Sequence, residues 1–198
     1  GDAQLIYPFI TKQGSFTSFS TISTENFNLD FVYGDTLNGS YPLTASISVD
    51  NFTETLTGRK QDVLYALKNS LDHYTPLSEH YAYSSSFGDK STQKLNIISI
   101  PSIFYGSSIQ KGSVRLKYYV TGTLIAEAAD TLKNGVLYQT SGSLSGSVGV
   151  VLYNEGFVIL TSSANIHKHG EAYGAGSNLV SASWHYFGVT SSYGGAPS

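Results

Sequence analysis

The residues with the clearest capacity for chemistry are His167, His169 and Glu171, spaced two apart. On an extended chain alternate side chains share a face, so these three would point the same way. Two imidazoles and one carboxylate on a face can hold iron or zinc. Lys168 and Gly170 interleave with them, and the surrounding segment reads as a solvated loop. The expectation is therefore no bound metal.

Other candidates are weaker. His73 and His80 flank the end of the helix described below, where a histidine usually serves the helix dipole. Gly142-Ser143-Leu144-Ser145-Gly146 is close in letters to a nucleophile elbow, but it is out of register and sits between strands. The glycine-rich stretch from Ser141 to Gly149 lacks a lysine and opens no helix, so it is not a phosphate loop. Trp184, Tyr186 and Phe187 could stack on a sugar ring. On a strand Trp184 and Tyr186 would share a face, and a core or subunit-interface strand explains them better. No catalytic constellation emerges, and neither an enzyme nor a cofactor is expected.

The elements that must carry these residues are mostly strands. Val114, Leu116, Tyr118 and Val120 alternate with Arg115, Lys117, Tyr119 and Thr121, the period of a half-buried strand. Around it lie Leu95 to Ile100 ended by Pro101, then Leu124 to Ala129, and an Asn134-Gly135 turn before Val136. Val148 to Tyr153 and Phe157 to Leu160 complete the unit, and Trp184 to Val189 reads as a last short strand. Upstream, Tyr41 to Val49 alternates, with Tyr41, Leu43, Ala45, Ile47 and Val49 on the apolar face. Tyr81 to Gly88 reads as an exposed loop or irregular edge strand. One helix is expected over 61–72, from the stripe Val63, Leu64, Leu67 and Leu71, with Asp62 in its first turn. The fold class is all-β: an antiparallel β-sandwich, jelly-roll-like, with that short helix on its outside.

A single domain is expected over 1–198. Pro8 breaks the apolar run Leu5 to Ile10, so residues 1 to about 20 read as an N-terminal arm. Its Tyr7 and Phe9, with Trp184 and Tyr186, are the candidate subunit-interface residues. The Gly/Ser/Pro stretch 190–198 reads as a flexible tail.

Composition narrows the partners. Charged residues are 13% of the chain, about half the usual share, so hydroxyls, amides and glycine must cover the surface. Such a surface suits lasting contact with other proteins. Net charge is −3 and no basic run exists, which argues against nucleic acid. No apolar run approaches the roughly 20 residues that span a bilayer, so no membrane partner is expected. Cysteine is absent, which removes disulfides and thiolate metal sites.

The run Ile98-Ser99-Ile100-Pro101-Ser102-Ile103-Phe104-Tyr105-Gly106, followed by Ser107 to Val114, is distinctive. It continues through Asn134-Gly135-Val136-Leu137-Tyr138 to Gly149-Val150-Val151-Leu152-Tyr153-Asn154-Glu155-Gly156. Together these segments resemble a β domain of virion structural proteins in tailed bacteriophages, especially marine and cyanobacterial ones. The resemblance implies a non-enzymatic particle component in head, neck, tail or baseplate. It implies other virion proteins and copies of itself as partners, and a place in the virion after assembly in the host bacterial cytoplasm. It carries no catalytic motif. The competing reading is a carbohydrate-binding or adhesin-like sandwich with a glycan as ligand.

Overall fold

A computed structural model describes residues 5–6, 22–23, 47–53, 58–168, 170–173, 179–189 and 191–192. The chain divides into two compact units, Gly1–Ala45 and Ser46–Ser198. In the first, β1 (Leu5–Ile6) pairs antiparallel with β2 (Ile22–Ser23). Tyr7 and Phe9 lie outside the described residues, as does the tail beyond Ser192.

The second unit is all-β with one α-helix among the described residues. Its main sheet has seven antiparallel strands. In chain order these are β3 (Ser48–Phe52), β6 (Leu95–Ser99), β7 (Arg115–Val120), β8 (Thr123–Ala129), β9 (Val136–Ser141), β10 (Ser147–Leu152) and β11 (Phe157–Leu160). The spatial order is β3-β6-β11-β10-β9-β8-β7, so β7 to β11 run as a meander and β6 and β3 extend it beyond β11. A two-residue hairpin, β4 (Ser84–Ser85) with β5 (Gly88–Asp89), and a small sheet of β12 (Gly170–Tyr173), β13 (Val180–Ser181) and β14 (Ser191–Ser192) complete it. The antiparallel, sandwich-like architecture is the one the alternation predicts.

β7 alternates as expected. Tyr118 and Val120 are buried, Leu116 is half-buried, and Arg115, Lys117 and Tyr119 are exposed. The helix, α1, runs from Gly58 to Tyr74 and so extends beyond both ends of the 61–72 stripe. The earlier start places Asp62 in the second turn rather than the first. Leu64, Leu67, Leu71 and Tyr74 are buried on its inner face, where they join Tyr81, Val151 and Tyr153 in the core. Packing of this apolar face, more than helix propensity, holds α1 in place.

Three local expectations are corrected. Only the end of the 41–49 alternation falls in β3, residues 41–46 lying outside the described set. Ile47 is 54% and Val49 36% exposed, so this apolar row is only partly covered, and Ser48 on the opposite face is exposed as well. β3 is an edge strand with β6 as its single neighbour, and alternation cannot say which face of an edge is covered.

Trp184 to Tyr186 form a 3-10 turn, not a strand. Residues 182–186 are all buried in succession, which no period-two strand with one wet face allows. The turn is clamped from outside. Asn51 and Asn96, partners across β3 and β6, donate side-chain N–H groups to the carbonyls of His185 and Phe187.

Tyr81, expected in an exposed loop, is fully buried. It lies in a 3-10 turn, Glu79–Tyr81, and its ring stacks on Tyr74 at 5.1 Å. The Tyr81 hydroxyl donates to the Val151 carbonyl at 2.6 Å. The Asn134-Gly135 turn makes room for it: Gly135 has φ +83° and a Cβ there would collide with that hydroxyl.

Candidate functional site

The sequence candidates do not converge. His167 is exposed and precedes β12, Glu171 lies within β12 and accepts from the Ser191 hydroxyl, and His169 is outside the described residues. Among the described residues no three His, Asp or Glu side chains are grouped to hold a metal.

Trp184 is fully buried and Tyr186 nearly so. The Trp184 indole N–H donates to Gln139 Oε1 at 2.8 Å, and its ring meets Tyr118 edge-on at 5.7 Å. Tyr186 stacks flat on Tyr173 at 4.2 Å. Both are buried in their own unit, on a 3-10 turn in place of the expected strand, and burial removes Trp184 from any sugar-stacking platform. Burial here follows from the turn, which sends successive side chains inward.

A second polar group is structural. Asp130 is 1% exposed and accepts from the backbone N–H of Gly112 at 2.8 Å, from that of Gly135 at 3.1 Å, and from the Tyr153 hydroxyl. It ties three loops at one end of the main sheet. Burial, then the bond to Asp130, pushes the Tyr153 phenol up.

The residues that do converge lie at the opposite end of the sheet. A cleft of about 290 Å³ opens between the Glu79–Tyr81 turn, the β4–β5 hairpin, the start of β10 and the chain after β11. Ser78 caps the turn, its hydroxyl accepting from the His80 backbone N–H at 3.3 Å. His80 Nδ1 lies 3.3 Å from Ser147 Oγ, and its ring packs against Phe87 at 4.0 Å.

Lys90 follows the hairpin and is 5% exposed. Its ammonium donates to the carbonyls of His80 at 2.9 Å and Ala82 at 2.5 Å. Desolvation lowers its pKa to about 8, with Asp89 opposing. Burial, then the Lys90 charge, lowers that of His80, with Glu79 opposing. Gln93, Thr161, Ser162 and Ser163 complete the polar wall.

A serine beside a histidine invites comparison with a hydrolase. A triad also needs a carboxylate that orients the ring. The acid nearest in sequence is Glu79, which is exposed and adjacent to His80 in the chain. The arrangement is a recess rich in hydrogen-bond donors, suited to holding a ligand. Sequence reasoning missed it because His80, Lys90, Ser147 and Thr161 come from four separate segments with no shared motif.

The end of the sheet around Asp130 also carries exposed apolar side chains. Ile47 precedes β3 there, Ile103 and Phe104 sit in the turn after β6, and Leu132 follows β8. They are 54%, 41%, 57% and 64% exposed. Comparisons with protein-family models, with curated proteins and with solved structures find no match to this chain.

Proposed function

We propose that this chain is a non-enzymatic structural component of a tailed-phage virion, acting through contacts with other virion proteins and with copies of itself. The observation that carries the reading is the apolar end of the sheet. Four large hydrophobic side chains, Ile47, Ile103, Phe104 and Leu132, are each more than a third exposed at strand ends and loops there. Water gains by their burial, at roughly 25 cal/mol per Å² of apolar area removed. Exposed apolar side chains at one end of a sheet suit burial against a partner. The low charged fraction weakens the usual electrostatic guard against such association. The resemblance of residues 98–114 and 134–156 to virion β domains points to the particle as the setting.

Quantitative mass spectrometry of gradient-purified particles, from a lysate containing the chain, tests this. The chain is expected in the particle band at multiple copies. Recovery in the free-protein fractions alone overturns the reading.

A further inference from the structure

We propose that the cleft formed by the Glu79–Tyr81 turn, the β4–β5 hairpin and the neighbouring ends of β10 and β11 binds a small oxyanion. The ligand would be a carboxylate or phosphate group, held by Lys90, His80 and the hydroxyls of Ser147, Thr161 and Ser162. This inference stands apart from the virion reading.

Charge is the first argument. The chain carries 14 acidic and 11 basic residues, yet among the described residues no acidic side chain lines this cleft. A buried ammonium is costly unless it is paired. The ion pairs found among the described residues are Arg59–Asp50 and Lys117–Glu127, and neither includes Lys90. Its acidic neighbour, Asp89, acts on it only at a distance and forms no ion pair with it: Oδ1 accepts from the Ser91 N–H at 2.8 Å and the Ser91 hydroxyl at 2.6 Å. Lys90 is held instead by two neutral carbonyls, which leaves a third N–H on the ammonium for a ligand.

Donor chemistry is the second argument. The wall presents an ammonium, an imidazole, an amide and several hydroxyls around one space. A neutral sugar needs strong acceptors as well as donors, and buried carboxylates would supply them. An oxyanion needs donors and positive charge, which this wall offers.

Size is the third. A water occupies roughly 30 Å³ of liquid, so about 290 Å³ admits a phosphate or carboxylate group with its remaining solvent. The exposed Phe87 ring, packed at a tilt against His80, forms an apolar lip on one side of the cleft.

Protein-observed NMR on the full chain tests the proposal. Inorganic phosphate and acetate are titrated separately against chloride at matched ionic strength. Saturable shifts are expected at His80, Lys90, Ser147, Thr161 and Ser162, and the probe that saturates first identifies the class of oxyanion. Lys90→Met and Ser147→Ala should each weaken binding about tenfold or more, the loss expected for a charge-assisted hydrogen bond. Lys90→Met also unties the turn, so Ser147→Ala and Thr161→Val decide the matter if that variant does not fold. No saturable shift with either probe overturns the proposal. So do shifts that chloride reproduces, affinity unchanged in the variants, or glucose saturating these signals where the anions do not.

Discussion

Acidification should destabilise this protein through one buried imidazole. His185 is 3% exposed. Its Nδ1 lies 3.0 Å from the Ser183 hydroxyl, its ring packs on Tyr186 at 3.8 Å, and Nε2 has no partner among the described residues. Burial, reinforced by the Lys94 charge and opposed by the nearby Ser162 backbone, lowers its pKa to about 4. In the unfolded chain it titrates near 6.5. Between those values the unfolded state binds the extra proton, so stability is full above about pH 6.5 and is lost as pH falls toward 4. The difference between the two pKa values makes the loss from pH 7 to pH 5 about 2 kcal/mol.

Urea unfolding at several pH values, followed by Trp184 fluorescence, measures this. Trp184 is the sole tryptophan, is fully buried, and is adjacent in sequence to His185. The control is His185→Phe, which keeps a ring against Tyr186 and cannot titrate. Every other titrating group, His80 and Asp89 included, is common to both proteins and cancels in the comparison. The wild type should lose about 2 kcal/mol more than the variant over that interval. Parallel pH profiles for the two proteins would refute the reasoning.

At alkaline pH the opposite sign applies first. Lys90 loses its proton near 8 when folded but near 10.4 when unfolded, so stability should rise by about 2–3 kcal/mol between those values. Above pH 10 it should fall, because burial keeps Tyr81, Tyr118 and Tyr153 protonated while the unfolded chain ionises. A maximum in melting temperature near pH 9–10, flattened on its rising side by Lys90→Met, is the check. Gly135→Ala should cost about 2–4 kcal/mol, from the strained φ and the collision with the Tyr81 hydroxyl. Placing it in a Tyr81→Phe background should recover part of that loss in a double-mutant cycle. Leu71→Ala should cost about 2–5 kcal/mol by chemical denaturation, since Leu71 is fully buried where α1 meets the core. Removing residues 1–12 should impair particle assembly and leave the 46–198 unit folded, as read by Trp184 fluorescence. Normal assembly of that truncation would remove the arm from the proposed function.

The apolar pattern of residues 95–160 determined the class of this fold. Alternation in β7, the Asn134-Gly135 turn, and the apolar runs of β6, β10 and β11 are local features. Local chemistry is enough to make them strands, because each must bury one face or both. The helical stripe of α1 was legible for the same reason. Strand order was not legible, since β6 pairs with β11 and β3 across long stretches of chain. Nothing in a strand's own residues names its neighbour. The 3-10 turn at Trp184 was hidden because two distant asparagines, Asn51 and Asn96, hold its carbonyls. The cleft was hidden for a stronger reason. Lys90 is an ordinary surface residue by composition, and only the turn carbonyls of His80 and Ala82 bring its ammonium inside. Sequence sets which residues must leave water; tertiary packing decides which polar groups are carried in with them.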